Sequence, residues 1–131
     1  PLDPRETYLF LAGEDAARPV PVTDNFWSDV VSGRLKVEGR LMAAFDMTED
    51  WPHWEMHPEG EEILVLLSGD MSIVLDPGET EAGGGESTVT LEPGQACLVP
   101  RGVWHRGIVR APSRLLAITA GEGTQHRPVA G

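Results

Sequence analysis

Apolar residues in this chain come in short runs, cut every eight to twelve positions by Pro, Gly, Asp or Asn. Helix-period spacing is scarce. That punctuation predicts an all-β sandwich or barrel. Strands are expected at Thr7–Leu11, Leu35–Phe45, His53–His57, Glu62–Leu67, Met71–Leu75, Thr88–Leu91, Ala96–Val99, His105–Val109 and Arg114–Thr119. One helical turn is expected at Asn25–Val31, with Asp24 or Asn25 as its cap, because a short side-chain oxygen there can accept from the first unpaired amides.

The connections have their own chemistry. Ser68–Asp70, "SGD", separates two apolar runs and predicts a tight hairpin turn. "EPGQ" at Glu92–Gln95 places Pro second and Gly third, the signature of a type II turn. Asp76–Thr88 is acidic and glycine-rich and is expected to be a mobile hairpin loop, whose Gly78–Glu86 part should tolerate deletion or insertion. The pattern fits a single domain over 1–131. Residues 1–33 form an N-terminal arm with the candidate helix, and 121–131 form a flexible tail.

Composition narrows the partners. A formal net charge of −11 would repel phosphate backbones and anionic membrane surfaces, so neither nucleic acid nor membrane is expected. No apolar run reaches the roughly 18 residues of a membrane span. The start of the chain lacks the basic and apolar stretches of a signal peptide. Cys97 is the single cysteine, which fits a reducing cytoplasm, and its apolar setting reads as a small core residue rather than a nucleophile.

Ionisable residues crowd into "WPHWEMHPEGEEILVLLSG", Trp51–Gly69. A helical reading would aim His53 and His57 at one ion. Pro52 and Pro58 flank the segment, however, and the glutamate is out of place for a zinc-protease helix. In a strand, His53, Glu55 and His57 share one face, and Trp54 and Met56 share the other. At about 3.3 Å per residue, Glu55 and His57 stand roughly 6.6 Å apart, close enough for one ion, and His53 and His57 about 13 Å apart, too far. His53 is then a pocket wall. Glu62 opens the return strand and can lie beside the face of Glu55 and His57, whereas Glu59 and Glu61 read as a solvated turn. A second constellation, "GQACLVPRGVWHRGIV", contains His105 at a strand start, flanked by Arg101 and Arg106.

These two stretches resemble the paired motifs of the cupin superfamily. Glu55-x-His57, four residues, Glu62, six residues and Gly69 follow the first motif, with Glu55 in place of its first histidine and Glu49 in place of its opening glycine. Gly94, five residues, Pro100-x-Gly102, two residues and His105 follow the second, with Val109 in place of the final asparagine. The resemblance implies a cupin-like double-stranded β-helix, or jelly-roll barrel, with a divalent metal ion held by Glu55, His57, Glu62 and His105. Two imidazoles and two carboxylates suit Fe, Mn, Ni or Zn. Without an ion, Glu55 and Glu62 should repel, and one should hold a raised pKa. Trp51, His53 and Arg101 are the expected pocket residues. Trp27, Trp54 and Trp104 read equally well as pocket wall, core or interface. The implied function is a metal-dependent cupin acting on a small-molecule ligand by oxygenation, isomerisation or lyase chemistry. The alternative is a non-enzymatic ligand-binding or sensory cupin, with or without metal. Relatives are often homodimers, and Thr7–Leu11 is the expected pairing edge.

Overall fold

A computed structural model describes residues 1–13, 15–78 and 84–130. Among the described residues nine strands and one short helix run in the order β1 (Thr7–Leu11), β2 (Arg18–Pro21), α1 (Phe26–Ser32), β3 (Arg40–Met47), β4 (His53–Met56), β5 (Glu62–Asp76), β6 (Ser87–Leu91), β7 (Ala96–Val99), β8 (Trp104–Thr119) and β9 (Gln125–Pro128). All strand pairings are antiparallel, and the sheet folds over without closing.

Two long strands build the architecture. β5 and β8 pair along almost their whole length, from Ile63 opposite Ile118 to Asp76 opposite Trp104. The second half of β8 carries β3, β1 and β2 on its other side, and the first half of β5 carries β7. The first half of β8 meets β4 and then β9, and the second half of β5 meets β6. Two layers result, joined by the continuous β5–β8 ribbon, as in a jelly roll. Between them lies a core of Leu64, Leu66, Met71, Ile73, Leu91, Cys97, Val99, Leu115 and Ala117. A second cluster, Tyr8, Phe10, Phe26, Leu41 and Ala43, docks α1 on the sheet.

The hairpin expected at Ser68–Asp70 does not exist. The chain continues as one strand because both halves pair with the same neighbour, β8, in one direction. The pairing instead shifts register between Leu66 and Met71. Before the shift the even positions 62, 64 and 66 are buried; after it Met71 and Ile73 reach the core. An inserted bulge residue changes which parity faces inward and bends the strand. Gly69 sits there at φ +99°, and a Cβ on it would overlap Ser113 Oγ. His105–Val109 and Arg114–Thr119 likewise belong to one strand, β8.

Other expectations hold. Glu92–Gln95 is a turn in which Gln95 N donates to Glu92 O at 2.9 Å, with Gly94 at φ +89°. β5 and β6 form the expected hairpin, although residues 79–83 of its loop lie outside the described residues. The helix exists at Phe26–Ser32 with Asn25 at its N-cap, but the Asn25 side chain makes no capping bond. Cys97 is buried in the core, and burial raises its thiol pKa.

Three expectations need correction. β1 is not an edge: β2 covers one side and β3 the other. The edge on that side of the sheet is β2, where Pro19 and Pro21 remove backbone donors and so discourage further pairing. The segment after Gly121, expected to be frayed, contains β9, held along β4 from His53–Pro128 to Met56–Gln125. The strand expected from Leu35 starts later: β3 begins at Arg40, directly after Gly39, whose φ of +70° interrupts an extended backbone. Among the described residues no helix is long and apolar enough to cross a membrane.

Candidate metal centre

β4 delivers Glu55 and ends just before His57. A bond from Gly102 N to His57 O, 3.0 Å, ties that end to the turn at Pro100–Val103. The same turn launches β8, so the segment that positions His57 also positions His105. Glu55 pairs directly across from His105. Opposed residues of an antiparallel pair face the same side, so both point inward.

Glu62 arrives by a longer route. His105 is opposite Leu75, thirteen residues along β5 from Glu62. On a flat ribbon that offset would be roughly 40 Å. Yet Glu62 Oε1 lies 2.9 Å from His105 Nε2. Coiling of the β5–β8 ribbon through its bulge brings the two ends together.

The resulting cluster is buried: His57, Glu62 and His105 expose 3 %, 4 % and 0 % of their surface. The imidazole rings of His57 and His105 are 5.4 Å apart. Glu62 Oε2 is 3.1 Å from His57 Nε2, and Glu55 Oε1 is 3.9 Å from that same atom. Donor atoms of Glu55, His57 and His105 all lie within 4.8 Å of one another. Glu62 lies on the two histidines rather than within that tightest group.

Hydrogen bonds set the tautomers. His105 Nδ1 lies 3.1 Å from Val103 O, a carbonyl that can only accept, so Nδ1 carries the hydrogen. Thr124 Oγ1 donates to Gly121 O at 2.9 Å, so it accepts from His57 Nδ1 at 2.8 Å. In the neutral rings both Nε2 atoms therefore present lone pairs, and both aim them at carboxylates. The His57–Glu62 approach lacks the alignment of a hydrogen bond, and His57 Nε2 is buried without a partner among the described residues. Buried lone pairs facing one another are costly unless a proton or a cation stands between them. A divalent cation would satisfy them all together, so the residues present fit a metal ion.

Charge follows the same logic. Burial resists ionisation of Glu62, but the contacts from His105 and His57 outweigh it and hold the carboxyl down at about 2. Burial resists charging of His105, but the bond and negative charge of Glu62 outweigh it and raise the imidazole pKa. The expected raised pKa is thus not found at Glu62, because two imidazoles face it. Thr119 also donates to Glu62 Oε2.

The remaining site expectations divide. Trp51 is half-buried, its ring 5.9 Å from that of His105, and its indole would be overlapped by any side chain at Gly107. His53 is exposed and faces His126, with ring centroids 6.5 Å apart. Arg101 is exposed on the turn. Arg106 points to the other face of the sheet, 5.3 Å over the Trp54 ring, away from His105. Trp54 and Trp104 lie on that outer face, and Trp27 packs with Tyr8, Phe26 and Phe45. A hollow of about 490 Å³ lies elsewhere, between Arg40, Glu59, Glu61 and Leu98. Thr119, Thr124 and His126 touch the cluster without any signal in the motif spacing. Strand alternation from Leu115 and Ala117 was the one available hint for Thr119.

The chain is a rolled antiparallel sheet of the jelly-roll kind, with an inward cluster of imidazoles and carboxylates whose chemistry fits a metal ion. Residues 47–119 match the cupin domain, and the chain belongs to the cupin family. No curated protein matches it. Among solved structures it resembles hydroquinone 1,2-dioxygenase from Sphingomonas sp. TTNP3 with 4-hydroxybenzoate bound, at 13 % identity and a TM-score of 0.53, covering 61 % of this chain and 58 % of that one. It also resembles a recombinant oxalate oxidase in complex with glycolate, at 19 % identity and a TM-score of 0.55, covering 66 % and 45 %. Vicilin from Corylus avellana is similar too, at 14 % identity and a TM-score of 0.57, covering 70 % and 26 %. The chain thus spans less than two thirds of each of these neighbours. The likeness is one of fold, and a fold hosts many activities.

Proposed function

We propose that this protein is a divalent-metal cupin in which Glu55, His57, Glu62 and His105 hold the ion, and that it acts on a small organic molecule by oxygenation, isomerisation or lyase chemistry. The observation that carries this reading is the pair of Nε2 lone pairs, each fixed by a hydrogen bond at Nδ1 and each aimed at a buried carboxylate. Harder carboxylate donors favour Mn(II) or Fe(II) over copper. A bound ion would supply Lewis-acid polarisation and open coordination positions. The chain's own contribution is to orient the donors, to keep Glu62 ionised and to shield the centre with Trp51 and the core.

Stripping the protein of metal and adding Mn, Fe, Ni, Co or Zn tests this. Ligand-linked stabilisation should reach about 2.7 kcal/mol at a hundredfold excess over the dissociation constant. Elemental analysis of protein purified without a chelating resin should show one ion per chain. If no ion raises the melting temperature, the second reading takes its place: a metal-free ligand-binding or sensory cupin. The His105–Glu62 contact favours that reading, because a protonated His105 would satisfy Glu62 Oε1 without metal. Turnover is best sought first among small hydroxylated carboxylic acids, the kind bound in two of the structural neighbours. Homodimerisation, implied by the family, would need a surface other than β1, and sedimentation would detect it.

A further inference from the structure

The cupin match ends at residue 119, yet two residues beyond it touch the centre. We infer that Thr124, just before β9, and His126, on β9, are positioning residues of the metal centre: Thr124 fixes the tautomer of His57, and His126 directs the carboxylate of Glu55. The inference rests on the metal reading above.

Thr124 comes first. Its hydroxyl has one hydrogen, which it gives to Gly121 O at 2.9 Å. Toward His57 Nδ1, 2.8 Å away, it can therefore only accept. This leaves His57 with its hydrogen on Nδ1 and its lone pair on Nε2, the buried atom without a partner among the described residues. Metal-binding histidines are commonly held this way by an acceptor on the far nitrogen, and losing that acceptor typically costs 10–100-fold in affinity.

His126 follows from the strand register. Glu55 on β4 is flanked by His105 on β8 and by His126 on β9, both directly opposite it. The three side chains therefore share the inner face in one row across three strands. His126 Nε2 lies 3.5 Å from Glu55 Oε1, and Glu55 Oε1 lies 3.9 Å from His57 Nε2. The carboxylate is thus held between an exposed imidazole and a buried one. Position 55 is where the first motif has a histidine, and a carboxylate on a longer, more flexible stem needs an outside support that a packed imidazole does not.

β9 is able to provide that support although all four of its residues are exposed. Four residue pairs bind it to β4. On the outer face, Arg127 lies over the rings of Trp54, at 5.4 Å, and Trp104, at 4.6 Å, and bonds to Asp76 at 3.0 Å. Neighbouring residues on a strand point to opposite faces, so clamping Arg127 outside fixes the inward direction of His126.

The test uses Co(II), whose visible absorption reports its ligand geometry, with affinity measured by calorimetry on the full chain. Thr124→Val keeps the shape and removes the acceptor, and should weaken Co(II) binding about 10–100-fold. Thr124→Ser should bind as the unsubstituted protein does. In the metal-free protein, nitrogen-resolved NMR should show His57 as the Nδ1–H tautomer, with the Nε2–H form appearing in Thr124→Val. His126→Ala should weaken Co(II) binding and change its absorption, and it should do neither in a Glu55→Ala background, because its effect passes through Glu55. Unchanged affinity and tautomer in Thr124→Val, or an equal effect of His126→Ala with and without Glu55, would overturn the inference while the metal reading stood. Failure of the unsubstituted protein to bind Co(II) would sink the metal reading itself and this inference with it. Circular dichroism of each variant separates loss of the site from loss of the fold.

Discussion

Glu62 is the residue on which the centre turns. It is buried, ionised and shared between two imidazoles and the Thr119 hydroxyl. Glu62→Gln keeps the shape but removes the charge that raises the His105 pKa. The expected result is a fall in the His105 pKa, followed by NMR, together with loss of tight metal binding. The fold should survive, because an amide can still bond to both neighbours. Glu55→Ala should also weaken metal binding and leave the fold intact, since Glu55 is only half-buried. Glu55→His would give the family's own donor and should favour the more nitrogen-loving ions, such as Ni(II) and Zn(II), in a competition assay.

At the scale of elements, the bulge at Ser68–Asp70 bends the ribbon that carries Glu62 to His105. Gly69 takes a left-handed conformation there and leaves room for Ser113, whose hydroxyl accepts from Asp70 N at 3.0 Å. Gly69→Ala combines backbone strain with an overlap. Strain alone costs about 1–3 kcal/mol, so a clear drop in the denaturation midpoint is expected, with reduced metal affinity because the two halves of the site lie on either side of the bend. A melting temperature equal to that of the parent protein would show that the bulge does not need glycine.

For the whole molecule, the two shifted groups make stability depend on pH with opposite signs. Glu62 is held at about 2, below its ordinary 4.5. It therefore stabilises the metal-free fold above about pH 4.5 and loses that contribution as pH falls toward 2. His105 is raised above its ordinary 6.5, so its contribution is complete below that value and fades as pH rises through its folded pKa. The metal-free protein should be most stable in mildly acidic solution. Metal binding runs the other way, because a proton on His105 competes with the ion. Thermal melts against pH, with and without Mn(II), should show the stabilisation by metal growing as pH rises toward the raised folded pKa of His105 and levelling off above it.

Much of this protein was legible without its structure. Turn residues and apolar runs located β1 and β7 to the residue and β4 and β6 to within one, because turn chemistry and strand alternation are local, whereas β2 was not expected. Strand alternation paired Glu55 with His57, and the resemblance to the cupin motifs implied Glu62 and His105 beside them; the four side chains lie together. What local pattern could not reveal was continuity. "SGD" reads as a turn, and only pairing of both flanks with β8 makes it a bulge. Nor could it reveal β9, whose exposed residues have no periodicity and which is held in place by Trp54, Trp104 and backbone bonds from β4. The expectation that Glu55 or Glu62 holds a raised pKa is not met at Glu62 for the same reason: its pKa depends on which groups press against it across a gap of 43 residues. Residue types and short-range geometry determine which donors are present. The coiling of the long ribbon, a sum of contacts far apart in the chain, decides which of them meet.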